Sequence, residues 1–218
     1  MATIRSFVEP RRLYRYRSLE KFDRELAAIE RGYLFCSAYK DLNDPMEGRF
    51  TSSRRFRASP AHLAVREAII DNKAHVGMCS FSEVPNHELM WAHYANHFSG
   101  ICIAYSVRLL LENLPKEVDF VRMYYDEKAP EIVRWDVGPE KLAKMILSHK
   151  SYRWLYEREW RMFSSMGNAF YGITNCVTRV YFGYRMSSRN RKRLGETLKR
   201  LKIEKKDMDI TKYVIKFE

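Results

Sequence analysis

Apolar and polar positions alternate most clearly over Met78-Cys79-Ser80-Phe81-Ser82-Glu83, which reads with Val76 as a buried strand stopping at the breaker Pro85. Asn86 then fits a helix cap, and Glu88 suits the positive end of the helix dipole. Leu89, Met90, His93, Tyr94 and His97 follow at helical spacing. Polar groups thus fall where periodicity asks for core. Ser80 and Ser82 on one strand face, with Trp91, His93 and Tyr94 on a helix above, describe a pocket with a few convergent polar groups. The plain alternative is that backbone neighbours satisfy these side chains.

The same reading extends along the chain. Leu13–Arg17 alternates as a first strand, with Tyr14 and Tyr16 on one face and Arg15 and Arg17 on the other. Ser18 caps a helix whose stripe is Leu19, Phe22, Leu26 and Ile29, with Gly32 just beyond its end, and Tyr33–Cys36 returns as a strand. Asp41 to Gly48 is a turn-rich loop holding Asn43, Asp44 and Glu47. Ser59-Pro60 opens a helix buried through Leu63, Ile69 and Ile70. Gly100–Tyr105 reads as a strand covered on both faces, and Val118–Tyr125 as another. A loop spans Pro130–Gly138, and a helix from Pro139 to about Tyr152 carries Leu142, Met145, Ile146 and His149.

Glu157–Phe163 switches to a period of two, which puts Glu157, Glu159 and Arg161 on one face and Arg158, Trp160 and Met162 on the other. A slip of one residue would reverse those faces. Val177–Gly183 is a strand, a helix opens at Ser187 or Ser188 with Leu194, Leu198 and Leu201, and Tyr213–Phe217 closes the chain. Strands and helices mix without regular βαβ alternation. The expectation is an α+β fold in which residues 1–218 form a single domain, a mixed, mostly antiparallel sheet flanked by helices.

Composition narrows the classes. Hydrophobic residues make up 46% of the 218, with 9 Gly and 7 Pro, as in a compact globular chain. Met1–Pro10 has no apolar run of signal-peptide length and no stretch suits a membrane span, so a cytoplasmic protein without membrane attachment is expected. Cys36, Cys79, Cys102 and Cys176 lie in apolar runs without a CxxC pair and read as reduced, buried thiols. The 39 Lys and Arg exceed the 27 Asp and Glu, a formal charge of +12 that favours an anionic partner such as nucleic acid or an acidic protein. Five arginines and no acid occur from Arg49 to Arg66, and ten basic residues accompany Glu196 and Glu204 between Arg185 and Lys206.

The motifs Leu13-Tyr14-Arg15-Tyr16-Arg17, Leu42-Asn43-Asp44-Pro45-Met46-Glu47, Cys79-Ser80-Phe81-Ser82-Glu83, Met90-Trp91-Ala92-His93-Tyr94 with Gly100, and Tyr156-Glu157-Arg158-Glu159-Trp160-Arg161 resemble the bacterial domain-of-unknown-function family 2971. More distantly, a basic and aromatic first strand, a central Ser-x-Ser strand and a late strand offering Glu are similar to the layout of ADP-ribosyltransferases. That resemblance implies an ADP-ribosyltransferase-like fold and NAD as substrate. It implies Arg15 or Tyr16 with Ser80 and Ser82 as NAD-holding residues, Tyr94 or Trp91 over the nicotinamide, and Glu159 or Glu157 acting on the ribose. The first strand departs from the pattern in carrying no His, which leaves Arg15 and the Tyr16 face as alternatives.

The chemistry agrees with those residue types. Cleavage of the nicotinamide bond develops an oxocarbenium-like ribose that a fixed carboxylate stabilises, and a guanidinium of Arg15, Arg17 or Arg161 matches two pyrophosphate oxygens. With the resemblance, this leads to the expectation of an NAD-dependent ADP-ribosyltransferase or NAD glycohydrolase-like enzyme, a toxin or defence effector acting on nucleic acid or protein, with an antitoxin as partner and no metal. Competing expectations are a metal-dependent nuclease using Asp44, Glu47 and Glu159, and a non-catalytic nucleic-acid-binding module. The latter would use Arg54, Arg55, Arg57 and the Arg189–Lys206 face on phosphates, with Phe50 or Phe56 stacking. His87, Glu88, His93 and His97 suggest a metal only until Trp91 is found in the second His position of a His-Glu-x-x-His order. Structural roles compete too: Glu157 and Glu159 could pair with Arg158, Arg161 or Arg15 at a strand edge, and Trp91 and Trp160 could be core.

Overall fold

The structure, a computed structural model, describes residues 9–218 together with a strand at Thr3–Ile4. The expectation about a signal sequence in Met1–Pro10 falls mostly outside the described residues. In chain order the elements begin β1 (Thr3–Ile4), β2 (Arg12–Arg17), α1 (Phe22–Arg31), β3 (Tyr33–Ala38), β4 (Thr51–Ser52), α2 (Arg54–Arg57), α3 (His62–His75), β5 (Gly77–Ser82), α4 (Glu88–Tyr94), β6 (Ile101–Ser106) and α5 (Val107–Asn113). They continue with β7 (Asp119–Arg122), β8 (Tyr124–Asp126), β9 (Glu131–Ile132), α6 (Pro139–Leu147), β10 (His149–Ser151), β11 (Glu159–Ser164), β12 (Ala169–Gly172), β13 (Val177–Phe182), α7 (Ser188–Arg200), β14 (Glu204–Thr211) and β15 (Val214–Phe217).

Among the described residues eleven strands form one sheet in the order β1-β7-β11-β5-β2-β6-β13-β14-β15, with β3 and β12 attached through β5. Most pairs are antiparallel, while β1–β7 and β13–β14 are parallel, so the fold is α+β with a mixed sheet. Strand β6 is covered on both faces, as its unbroken apolar run requires. Ile101, Ile103 and Tyr105 pack with Ile29, Leu110, Leu194 and Leu198 of α1, α5 and α7. Cys102 and Ala104 pack on the other side with Met90 and Trp91 of α4, Tyr16 and Tyr181.

Several expected boundaries move for physical reasons. Ser18 accepts the Glu20 N–H in a local turn, and α1 starts only at Phe22. In α3, Ile69 is buried, but Leu63 and Ile70 are exposed. The inward places there belong to Val65 and to Lys73, whose ammonium donates to Gly48 O over the Tyr39 and Phe50 rings. Helix α4 follows His87 without a cap from Asn86, and Asn96, His97 and Phe98 turn left-handed after it, which removes His97 from the helical stripe. The run 118–125 breaks at Met123, whose N–H is taken by Glu159 O, so its second part pairs with β10.

Helix α6 stops at Leu147 rather than near Tyr152, and Met145 is exposed. Strand β9 occupies part of the expected loop at Pro130–Gly138, and the last strand begins at Val214. The strand expected from Glu157 begins at Glu159, since Arg158 adopts φ 45° at the end of the 3-10 turn Tyr152–Glu157. Strands β12 and β14 and helices α2 and α5 have no counterpart in the sequence reading.

Gly77 ends β5 where β3 and β11 meet, and a Cβ there would lie 2.3 Å from both Met166 O and Ser164 Oγ. Gly77→Ala should cost about 1–3 kcal/mol in urea denaturation. Gly195→Ala, in α7 with nothing within 4 Å, should instead add about 0.5–1 kcal/mol. Equal effects at the two positions would contradict the packing described.

Candidate functional site

Strand β5 is paired along one side only. There β11 matches it from Glu159↔Ser82 to Ser164↔Gly77. On the other side β2 joins only at Tyr14↔Ser82, and β3 only at Ser37↔Met78 and Ala38↔Gly77. Residues 79–81 therefore face a gap in the sheet. An antiparallel strand sends its N–H and C=O groups alternately to its two sides, so backbone polar groups of β2 and β5 point into this opening and require polar company. A cavity of about 340 Å³ occupies it, within the roughly 300–1,000 Å³ usual for small-molecule sites.

Register assigns the walls. Tyr14 is opposite Ser82, Ser82 opposite Glu159, and Ser80 opposite Arg161, so these five share one face. Arg15, Arg17, Cys79 and Phe81 alternate with them and point to the other face, although all four still line the cavity through the gap.

On the first face is a buried ionic cluster. Lys150 Nζ lies 2.6 Å from Glu157 Oε2, 3.1 Å from Glu159 Oε2 and 3.2 Å from Glu47 Oε1. Arg161 donates to Glu159 Oε1 through Nε and Nη2 at 2.9 and 2.8 Å, and to Leu147 O through Nη1 at 2.7 Å. Its Nη2 is also 2.8 Å from Glu47 Oε2, off the hydrogen-bond axis, so that this oxygen accepts none. Tyr94 donates its hydroxyl to Glu157 Oε1, and the Glu159 N–H bonds Tyr125 Oη at 2.7 Å.

Three carboxylates meet two cations, an excess of one negative charge. Its strain falls unequally. Burial pushes Glu159 up, but Arg161 and Lys150 outweigh it and hold the carboxyl at about 2. Burial raises Glu157 above the carboxylate range, with Lys150 opposing and Glu159 reinforcing the rise. Glu157 is thus the acid of the pair that takes a proton more readily. Burial works against Lys150 as a cation, but Glu159, Glu47 and Glu157 hold it charged.

The partners arrive by separate local devices. Parallel pairing of β10 with β8, Lys150↔Tyr125, carries Lys150 inward. Asp44 Oδ1 accepts the Met46 N–H, Tyr39 Oη donates to Glu47 O, and Gly48 at φ 69° passes close over the Tyr39 ring, which turns Glu47 in. The turn at Arg158 brings Glu157 beside Glu159 although the two do not share a strand. A smaller hollow of about 100 Å³ behind the cluster is also lined by Glu47 and Lys150.

On the opposite face Arg17 is bound through Nε and Nη2 to Glu25, which also holds Arg24. Arg15 is different. It is partly buried with its guanidinium 5.6 Å from the Phe81 ring centre, and it makes no hydrogen bond or ion pair to a described residue.

The structure brings Arg15, Tyr16, Arg17, Ser80, Ser82, Tyr94, Glu157, Glu159 and Arg161 to the one cavity. Ser80 is open to it, whereas Ser82 is buried, donates to Glu157 O at 2.7 Å and accepts from Val84 N. Tyr16 donates to Val84 O. Trp91 and His93 are not on the wall. Trp91 is fully buried, gives its Nε1–H to Pro85 O and packs edge-on against Tyr16, while His93 is exposed. Of the three acids expected of a nuclease, Glu47 and Glu159 come together on Lys150 and Arg161, while Asp44 lies off the wall. Sequence reasoning missed Lys150 altogether and offered Glu47 as part of a turn or as a nuclease acid, not as a partner of Lys150; acids and bases far apart in sequence give no local sign that they share one burial.

Residues 90–162 match the model of a family described as Protein of unknown function (DUF2971), which supports the family reading of the motifs. That span contains Tyr94, Lys150, Glu157, Glu159 and Arg161. No curated protein and no solved structure matches the chain.

Lys150→Met removes the ammonium shared by three carboxylates and should cost about 3–5 kcal/mol in denaturant unfolding at neutral pH. Glu159 carries a second test. Because its folded carboxyl is depressed from 4.5 to about 2, its contribution is complete above about pH 4.5 and lost as pH falls towards 2. Glu159→Gln should therefore destabilise strongly at pH 7 and much less near pH 2; a constant difference across that range would refute the assignment.

Proposed function

We propose that the chain binds NAD across the sheet gap and breaks its nicotinamide–ribose bond, passing ADP-ribose to a nucleic-acid or protein acceptor or to water, as a toxin or defence effector. The observation that carries this reading is one cavity with the guanidinium of Arg15, which no described residue pairs, on one face of a divided sheet and an acid-rich cluster on the other. A molecule with an anionic centre and a cationic end is complementary to that arrangement. The pyrophosphate would lie in the gap against Arg15, Ser80 and the free strand edges, where both guanidinium and backbone donors suit phosphate oxygens. Arg17 and Arg161 are engaged by carboxylates and leave that task to Arg15.

The ribose would then face Glu157, with Tyr94 and Met90 beside the nicotinamide. As the C1′–N bond breaks, its electron pair leaves with nicotinamide, and the excess negative charge of the cluster steadies the developing cation. The attacking hydroxyl or water forms the new C1′–O bond and gives its proton to Glu157, the member of the cluster with the raised carboxyl. Glu159 is neutralised by Arg161 and Lys150, which suits it to hold those cations in place.

Nicotinamide release from NAD tests the reading. Glu157→Gln should lower turnover on the order of 10²–10³-fold, and Arg15→Met should raise KM more than it lowers kcat. The acid limb of kcat/KM should fall above the ordinary carboxylate range, as the raised Glu157 carboxyl requires. Chelators should have no effect. Release that is absent with every acceptor tried, or unaltered in Glu157→Gln, would leave a basic binding protein instead.

A further inference from the structure

Beneath the ionic cluster, on the other face of the gap, two cysteines meet. Strands β3 and β5 pair at Ser37↔Met78 and Ala38↔Gly77, and Cys36 and Cys79 are the next residue on each strand, one step past the last pair. Paired residues of antiparallel strands have Cα atoms roughly 4.5–5.5 Å apart, so two cysteines one step beyond such a pair start close to the roughly 4.4–6.8 Å that a disulfide spans. Both thiols are buried in one core cluster, and Cys79 also lines the cavity, the side from which a small solute would reach it. The other two cysteines are placed differently: Cys102 packs on the far face of β6, and Cys176 bonds Thr174 O.

Charge around Cys79 comes from Arg15 and Arg17 on β2, with Cys36 on β3, while Tyr105 on β6 and Glu25 on α1 act on Arg15. Glu25 is taken up by Arg17 and Arg24, which leaves the Cys79 sulfur foremost among the groups that favour the Arg15 charge. Burial pushes the Cys79 thiol up, but the Cys36 hydrogen bond and the Arg15 and Arg17 cations bring it down to about 7. Thiolates beside cations are the reactive ones.

We propose that Cys36 and Cys79 are a peroxide-reactive dithiol, with Cys79 the attacking and Cys36 the resolving sulfur. The Cys79 thiolate attacks one oxygen of a hydroperoxide, the O–O bond breaks, and the leaving oxygen takes up a proton as water or alcohol. Cys79 is then a sulfenic acid. The Cys36 sulfur attacks it, the S–O bond breaks, and the Cys36 proton leaves with that oxygen as water. Two thiols are oxidised to one disulfide and the peroxide is reduced. The bond would fasten β3 to β5 at one end of the gap and withdraw the anion beside Arg15.

The test uses the full chain treated with hydrogen peroxide at neutral pH, alkylation of the remaining thiols, and mass spectrometry of a digest made without reductant. The expected product joins the Cys36 and Cys79 peptides, reverts with dithiothreitol, and leaves Cys102 and Cys176 alkylated. In Cys36→Ala a dimedone adduct should accumulate on Cys79. Arg15→Met should slow alkylation of Cys79 at neutral pH roughly tenfold, with Arg15→Lys restoring much of the rate. Oxidation of Cys102 or Cys176 ahead of Cys79, peroxide-treated protein in which Cys36 and Cys79 both remain alkylatable, or a Cys79 rate indifferent to residue 15 would overturn the proposal. NAD turnover does not enter these readouts.

Discussion

Five buried charges, Glu47, Lys150, Glu157, Glu159 and Arg161, depend on one another more than on any other part of the molecule. Each would be expensive to bury alone. Together they tie a turn-rich loop, strand β10, the end of a 3-10 turn and strand β11 to a single point, and the cavity wall is what those ties leave. The hydrogen bonds that surround the cluster, from Tyr94, Tyr125 and the Leu147 carbonyl, serve the same requirement. An apolar core could have joined these segments at lower desolvation cost.

The sheet shows the same logic at the level of the backbone. Uninterrupted pairing of β5 with β2 would have closed the opening, and pairing with β3 would have closed it from the other end. Each neighbour takes only one end of the strand, so both sides of β5 meet different demands: a complete ladder with β11 for stability, a broken one towards the cavity. Strand β6, with an apolar layer on each face, lies beyond β2 from the gap, and the larger of those layers runs on to Cys79 and Phe81 at the edge of the gap.

The central strands, the capped helix α7 with its Ser187 cap, and the Gly32 stop were legible because each is written in neighbouring residues: alternation, a side-chain oxygen at the cap, a glycine in the left-handed region. The site was legible in part for the same reason, since Ser80, Ser82, Glu159 and Arg161 fall on one strand face by counting in twos. Glu157 was placed near its partner by the wrong argument, because the turn at Arg158 and not the strand period sets it there. Trp91 was expected to be either platform or core; its indole N–H finds Pro85 O and its rings find Tyr16, so packing claims it. Lys150 was hidden within an expected helix, and only the early stop at Leu147 frees it to turn inward.

Glu47 and Lys150 line both the cavity and the hollow behind it. These two side chains thus stand between the hollows, and shortening either would bring the two spaces towards joining. The length of these two side chains therefore keeps the cavity separate from the hollow behind it.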